Sequence, residues 1–249
     1  VGVLMTRQNS IPAKSDPKLQ VLTLIPGWDF CNFRDGQLTT HFNDDLDASE
    51  SFTMGPVKAG QQIFIYYGNR PNSKLFLFSG FVAKDHKTDY VEVLFYGDTK
   101  ADENDPIRKI KKMTLANRRM RETAQAFRVS ASSGEPSSAC MSWLRIKCMD
   151  KKEAGAVLKL KTALVDRISA QNETAAYALL KTNIARAIAA YPTSLEDDEK
   201  TLAGDTLSAR ARVAVELRLN EKRALLKCQK LVAERAAKVA GAAGDGAAV

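Results

Sequence analysis

The chain has 249 residues, of which 45% are hydrophobic and 27% charged, and its formal net charge at pH 7 is +8. That length is enough to bury a sizeable core and to form two domains. The sequence contains no apolar run of 18 residues, so it predicts no membrane-spanning helix. The four scattered cysteines include no C-x-x-C pair, which argues against a zinc site or a disulfide framework and favours a reducing compartment.

The positive charge is concentrated in the second part of the chain. Residues 1–100 contain 10 lysines and arginines against 11 acidic residues, whereas residues 101–249 contain 27 against 18. A basic segment is compatible with nucleic-acid binding, but these bases alternate with acids and lack stacking aromatic residues, which favours solvated helix faces. Two denser clusters, at 108–112 and 118–121, are equally compatible with an acidic protein partner. We therefore expect no nucleic-acid partner.

Short strands separated by turn residues are predicted for the first part of the chain. The apolar and β-branched runs that predict them cover residues 21–25, 38–42, 51–54, 62–67 and 90–95. Residues 72–78 predict one helical excursion within this region, with Asn72 or Ser73 as its N-cap.

Helices are predicted beyond Pro106. One of them is indicated by a stripe of apolar residues at helical spacing: Val157, Leu160, Leu164 and Ile168. Thr193 and Glu196 have the spacing of a capping box and predict the start of another helix. The last helix is predicted from about residue 208 to 239, and the small residues 241–249 are predicted to form a disordered tail.

Two segments carry chemically useful side chains where a predicted strand ends. Residues 24–32 read LIPGWDFCN, so an apolar strand leads into a tight turn that holds an aromatic ring, a carboxylate and an amide. Residues 65–70 read IYYGNR, and the strand there ends with two phenols before a glycine. Because adjacent strand residues face opposite sides, only one of the two tyrosines is expected to face a site.

These motifs resemble the SET domain of the plant Rubisco large-subunit lysine methyltransferase family. The resemblance rests on four ordered segments: MTRQNSIP at 5–12, LIPGWDFCN at 24–32, YGNR at 67–70 and SGF at 79–81. The helical part is similar to the substrate-binding domain of that family at LSARA, 207–211, and at LRLNEK, 217–222. Within the family, the motifs are most similar to the branch that methylates a histidine of actin.

The resemblance implies an α+β fold in which the C-terminal half of a β-rich SET domain, 1–95, precedes an all-α substrate-binding domain, 98–240, and the tail 241–249. It implies a monomeric, cytoplasmic and also nuclear enzyme that transfers a methyl group from S-adenosyl-L-methionine to a protein. The leading acceptor is the tele nitrogen of an actin histidine, and a lysine is the alternative. A non-catalytic helical interaction module attached to a degenerate SET remnant remains the other alternative.

The site residues that the resemblance implies form two groups. The catalytic centre and the acceptor pocket contain Tyr67, Asn9 and Trp28. The cofactor-binding residues are Arg7, Asp29, Phe30, Cys31, Asn32, Phe33, Ser79, Gly80 and Phe81. Tyr67 is expected to hold its hydroxyl beside the transferred methyl group, and no metal is implied.

The chemistry of the acceptor gives Asn9 a specific expected role. A lysine is charged at neutral pH and must lose a proton before it attacks, whereas an imidazole with a pKa of about 6.5 is already mostly neutral. Such a ring needs control of its tautomer and orientation more than it needs a base. A carboxamide that binds one ring nitrogen leaves the other free to attack, and Trp28 is expected to pack against the ring.

Two features depart from the family pattern. The family usually has Asn-His where this sequence has Asn32 and Phe33. The glycine-rich first half of the SET domain is also absent, so the chain reads as the C-terminal part of a longer protein and is expected to be inactive by itself. The two histidines, His41 and His86, are too isolated in sequence to suggest a catalytic dyad.

Overall fold

Residues 6–97, 104–160 and 162–245 are described by the computed structural model, and they fall into two units, 1–88 and 89–249. The predicted domain limits at residues 1 and 98 lie outside the described residues, as does the end of the predicted tail, 246–249. In the described part of the chain, no helix is long and apolar enough to cross a membrane.

The strands of the first unit form two-stranded sheets. The antiparallel pairs are β1 (Gln8–Ala13) with β2 (Asp16–Leu24), and β4 (Thr40–Asn43) with β5 (Ala48–Ser51). The parallel pair is β3 (Asn32–Phe33) with β6 (Phe64–Ile65). Four of the predicted strand regions therefore contain or adjoin a strand, with shifted limits. Strand β1 is not predicted, because Pro12 and several polar residues interrupt its apolar pattern.

Helix α1 (Asn72–Ser79) fixes the loop that follows it. Pro71 occupies the N-cap position, so the predicted caps Asn72 and Ser73 are wrong. Asn72 lies inside the helix, and its carboxamide makes a two-point contact with the backbone of Ala83, donating at 3.0 Å and accepting at 2.7 Å. The buried carboxamide of Asn72 therefore satisfies the backbone N–H and C=O of Ala83, which lies in a loop and pairs with no strand.

The second unit begins with an antiparallel sheet. Strand β7 (Tyr90–Tyr96) pairs with β8 (Ala124–Ser130), and Val91 lies opposite Val129. The sequence predicts β7 but assigns it to the first domain, and it expects no strand beyond residue 98. Strand β8 therefore corrects the all-α expectation: its residues alternate between buried and exposed, with Phe127 and Val129 inside.

Helices build the rest of the second unit. They are α2 (Arg108–Asn117), α3 (Ser138–Cys148), α4 (Lys151–Lys159), α5 (Ala170–Ala189), α6 (Leu195–Ala203) and α7 (Ala209–Asp245). The core packs α3 and α5 against α7 and the sheet, with Trp143, Leu180 and Leu225 almost completely buried. The indole of Trp143 donates to the carbonyl of Arg121 at 2.8 Å, so the ring is buried with its polar group satisfied.

Three helix limits differ from the sequence prediction. The predicted stripe over 157–168 is not one helix, because α4 ends at Lys159 and α5 begins at Ala170. The capping box of α6 is formed by Ser194 and Asp197, one residue later than predicted. Helix α7 continues to Asp245, which corrects the start of the predicted disordered tail.

A buried charge cluster ties α6 to α7. The carboxylate of Asp198 is fully buried and accepts hydrogen bonds from Arg218 and from Lys222, whose ammonium lies 2.7 Å away. Burial acts to raise the pKa of Asp198, but hydrogen bonds from Arg218, Lys222 and Thr193 outweigh it and hold the pKa far below its usual range. The cluster therefore stabilises the fold only while the carboxylate is charged.

Replacing this carboxylate is expected to destabilise the protein strongly at neutral pH. Asp198→Asn leaves the buried Lys222 and the partly exposed Arg218 without their counter-charge, and breaking a buried ion pair typically costs about 3–5 kcal/mol. The folded-state pKa is lowered, so the stabilisation is present above the unfolded value of about 3.9 and is lost as the pH falls below it. The difference in the free energy of unfolding between the wild type and the variant should therefore shrink as the pH falls from 4 to 2. Urea unfolding provides the measurement.

The matched control is Glu199→Gln on the same helix. Glu199 pairs with Arg223 at the surface, where both side chains are close to half exposed, so its loss should cost less than about 1 kcal/mol. Equal losses for the two variants at pH 7 would contradict the assigned role of Asp198.

Candidate functional site

A cavity of about 190 Å³ opens in the first unit where several segments of the chain meet. The segments that form it include β1, the turn after β2, strand β4, the end of β6 and the end of α1. The lining residues are Thr6, Arg7, Gln8, Asn9, Trp28, Asp29, Leu38, Thr40, Ile65, Tyr66, Tyr67, Gly68, Arg70 and Ser79. Charged, amide, phenol and indole groups thus face a single concave site, which is the usual arrangement of a small-ligand or reaction site.

The cavity contains half of the residues that the sequence analysis assigns to a site. Those that line it are Arg7, Asn9, Trp28, Asp29, Tyr67 and Ser79. Those that do not line it are Phe30, Cys31, Asn32, Phe33, Gly80 and Phe81. The structure therefore brings together all three side chains expected at the catalytic centre, whereas the expected cofactor residues are divided between the cavity and its surroundings.

One helical turn places Trp28 and Asp29 at the cavity. Gly27 before it has φ +94°, a left-handed conformation that favours glycine. The turn is closed by the amide of Cys31, which donates to the carbonyl of Trp28 at 3.0 Å. Trp28 and Asp29 are half-buried, whereas Phe30 points away with 80% of its surface exposed.

The phenol of Tyr67 also lines the cavity. Its hydroxyl donates to the carbonyl of Cys31 at 2.8 Å. Burial raises the pKa of Tyr67 above its usual value of 10, and this effect is opposed by the positive charges of Arg7 and Arg70. Tyr67 is therefore a neutral phenol at physiological pH. Since its proton is used for Cys31, its oxygen keeps acceptor capacity for a ligand.

Two polar side chains at the cavity differ in their hydrogen bonding. Oδ1 of Asp29 is buried and has no hydrogen-bond partner in the described part of the chain. The carboxamide nitrogen of Asn9 donates to the carbonyl of Arg7 at 3.3 Å. An unpartnered buried carboxylate oxygen is costly, so this site is suited to a ligand that brings a donor or a positive charge.

An aromatic cluster supports Tyr67 from outside the cavity. The ring of Phe33 meets Tyr67 edge-on at 5.5 Å, and it also packs against Phe81 at 5.7 Å. The phenylalanine at the position of the expected family histidine is thus a partly buried member of an aromatic cluster. Its neighbour Asn32 is exposed, and Gly80 ends α1 in the left-handed conformation.

Some lining residues are not among the predicted site residues. Arg70 has the most polar side chain among them. The sequence feature that could have indicated it is its position in the quoted segment YGNR, three residues after Tyr67. Gln8 has a similar signal, because it lies in the quoted segment MTRQNSIP. Leu38 and Thr40 carry no such signal, because only the packing of the strands brings them to the cavity. In the described residues, no group of three or more histidine, cysteine or acidic side chains is placed to hold a metal ion.

The phenol of Tyr67 should ionise only above pH 10. Spectrophotometric titration of the wild type minus Tyr67→Phe isolates this group, and its midpoint should lie above that of a free tyrosine, because burial opposes the phenolate. The substitution removes one hydrogen bond and should cost about 1 kcal/mol. A difference titration with a midpoint at or below pH 10 would contradict the buried, hydrogen-bonded state.

Comparisons with known proteins agree on the type of fold. Residues 102–225 match the family model described as Rubisco LSMT substrate-binding. The chain is 32% identical over 243 residues to actin-histidine N-methyltransferases from Homo sapiens and Papio anubis, and the match covers 94% of this chain. The chain spans only 40% of the length of these curated relatives.

Solved structures show the same fold over nearly the whole chain. The structure of Rubisco LSMT bound to AdoMet aligns with a TM-score of 0.70 and 21% identity, and covers 96% of this chain and 54% of that one. The SET domain of LSMT bound to lysine and AdoHcy aligns with a TM-score of 0.72 and 20% identity, and covers 96% and 55%.

Proposed function

We propose that the complete protein is a protein N-methyltransferase that uses S-adenosylmethionine. Its preferred acceptor is a histidine of actin. The proposal rests on the family to which residues 102–225 belong, that of the Rubisco LSMT substrate-binding domain, and on the similarity to actin-histidine N-methyltransferases. In this proposal, residues 1–95 are the C-terminal part of a SET domain and the helical residues after 98 bind the protein substrate. The observation that carries it is the single cavity lined by Asn9, Trp28 and Tyr67.

The residues at the cavity fit one end of the cofactor and an acceptor ring. S-adenosylmethionine supplies an activated methyl group on a positively charged sulfur. The buried, unpartnered Oδ1 of Asp29 suits a cationic or donor group, and Arg7 and Ser79 line the same cavity. The volume of about 190 Å³ is smaller than the roughly 300 Å³ at the low end of whole-ligand pockets. We therefore assign Asn32, Phe33 and residues 80–81 to the surroundings of the rest of the cofactor.

Asn9 controls the acceptor in this mechanism. Its amide nitrogen is held by the Arg7 carbonyl, which orients Oδ1 as an acceptor for the N–H of a neutral imidazole. The other ring nitrogen then keeps its lone pair for the attack. Trp28 packs against the ring and limits its rotation, so that orientation rather than base catalysis lowers the barrier.

Tyr67 positions the reacting groups without giving up its proton. Its hydrogen bond to Cys31 fixes the direction of the O–H group, and its raised pKa keeps the phenol neutral. The free lone pair of the phenol oxygen accepts weak C–H donors of the kind that a methyl group on a cationic sulfur provides. Tyr67 thus orients the methyl group toward the acceptor.

A lysine acceptor is the second candidate, and one observation favours it. The unpartnered carboxylate oxygen of Asp29 suits an ammonium group better than a neutral ring. A lysine must still lose its proton before it attacks. Among the described residues, Asp29 is the one acidic residue that lines the cavity, so it is the candidate to accept that proton.

The acceptor can be identified by mass spectrometry. The complete natural protein is incubated with actin and isotopically labelled S-adenosylmethionine, and we expect label on one histidine. Actin in which that histidine is replaced by alanine should carry no label, and replacement by lysine should lower the rate. Label on lysine alone would favour the second candidate, and failure to bind the cofactor would favour a non-catalytic interaction module.

Substitutions at the acceptor pocket should separate methyl transfer from cofactor binding. Asn9→Ala and Trp28→Ala are expected to lower kcat/KM for the histidine substrate by about a hundredfold, because acceptor orientation is lost, and to leave the dissociation constant of the cofactor within about threefold. Steady-state kinetics and calorimetry provide the two measurements. The control is Ser10→Ala, at an exposed position on the same strand as Asn9. Parallel losses of turnover and cofactor affinity would argue against the assigned roles.

A further inference from the structure

His86 lies behind the candidate site, in the loop that follows α1. Its side chain is 1% exposed, and its Nε2 lies 2.6 Å from the carbonyl oxygen of Arg70. A carbonyl oxygen only accepts, so Nε2 must carry a proton and donate it. We propose that His86 is a positioning residue that holds the turn between Tyr67 and Arg70 in its working conformation. Its effect on catalysis rests on the proposed methyltransferase function.

The turn that His86 holds connects two side chains of the cavity. Tyr67 and Arg70 both line the cavity, and they are joined through Gly68, whose φ of +83° is left-handed. The amide of Arg70 donates to the carbonyl of Gly68 at 2.7 Å, so its own carbonyl points to another partner. His86 supplies that partner from a position 16 residues further along the chain.

The second ring nitrogen of His86 faces an anchored carboxylate. Nδ1 lies 3.5 Å from Oδ1 of Asp35, and it makes no hydrogen bond within the described part of the chain. The other oxygen of Asp35 accepts the backbone amide of Lys87 at 2.6 Å, and its first oxygen accepts the amide of Gly36 at 3.0 Å. The imidazole therefore lies between the chain segment after β3 and the turn that carries Arg70, and its hydrogen bond fixes it to that turn. A residue so fixed can transmit position to its hydrogen-bond partner.

Ring packing connects His86 to Tyr67 by a second route. The imidazole meets Phe33 edge-on at 5.5 Å, and Phe33 meets Tyr67 edge-on at 5.5 Å. These edge-to-face contacts have preferred geometries, so movement of the imidazole would alter the packing behind the phenol. The hydrogen bond fixes the turn after Tyr67, and the ring contacts support its side chain.

A purely space-filling role predicts different behaviour from a positioning role. A leucine at position 86 fills much of the same volume but cannot donate to the Arg70 carbonyl. A glutamine reaches the position of Nε2 and carries a donor there. His86→Leu therefore removes the hydrogen bond, and His86→Gln restores it. Both variants lack the aromatic ring. The matched control is His41→Leu, because His41 is exposed on β4 and pairs with Glu50.

The first measurement does not depend on enzyme activity. In nitrogen-15 NMR spectra of the wild type, His86 should carry its proton on Nε2, and the amide of Arg70 should exchange slowly. In His86→Leu, exchange of this amide should be at least tenfold faster, whereas His86→Gln should stay within about threefold of the wild type. If Nε2 of His86 carries no proton in the wild type, the proposal is overturned, whether or not the leucine variant folds well. Unchanged exchange of the Arg70 amide in His86→Leu also overturns it.

The second measurement uses the complete natural protein and its histidine substrate. His86→Leu should lower kcat by about tenfold or more, with the KM for S-adenosylmethionine nearly unchanged, because misplacement of a site residue by about 1 Å costs up to about a hundredfold in rate. His86→Gln should recover most of the rate. A wild-type protein without methyltransferase activity overturns the proposed function, while the exchange data still decide the positioning role. Equal loss of rate in both variants overturns the catalytic consequence of His86.

Discussion

The parallel pairing of two very short strands is the constraint on which the candidate site depends. Asn32 and Phe33 pair with Phe64 and Ile65, and this pairing joins two segments that are about thirty residues apart in sequence. The hydrogen bond from the Tyr67 hydroxyl to the carbonyl of Cys31 joins the same two segments just outside the paired residues. Without this pairing, the turn that carries Trp28 and the strand end that carries Tyr67 would have no reason to meet.

Buried polar side chains take over where regular strands end. The carboxamide of Asn72 satisfies both backbone groups of Ala83, and the imidazole of His86 satisfies the carbonyl of Arg70. Each contact fixes one loop geometry, because a buried backbone group without a partner is costly. The second unit uses the same principle with charges, since Asp198 holds α6 against α7. Precise loop positions in this protein thus depend on a few buried polar groups.

The sequence by itself determined the residue types of the site and the general order of strands before helices. Turn residues such as Gly27 and Gly80, whose conformations favour glycine, are local features, so the segments around them can be recognised without a structure. The motif residues around Trp28 and Tyr67 are local in the same sense. For this reason the three residues expected at the catalytic centre could be proposed from local motifs. All three line one cavity, and their roles stay predictions.

Only the tertiary structure decided which other residues join them. Strands of two residues have no periodicity, and β8 lies among helical patterns, so neither their limits nor their partners can be read locally. The caps of α1 and α6 differ from the predicted ones by one or two residues, because capping depends on backbone conformation rather than on residue type alone. Arg70 and His86 acquire their places through contacts distant in sequence, and such contacts exist only once the chain has folded.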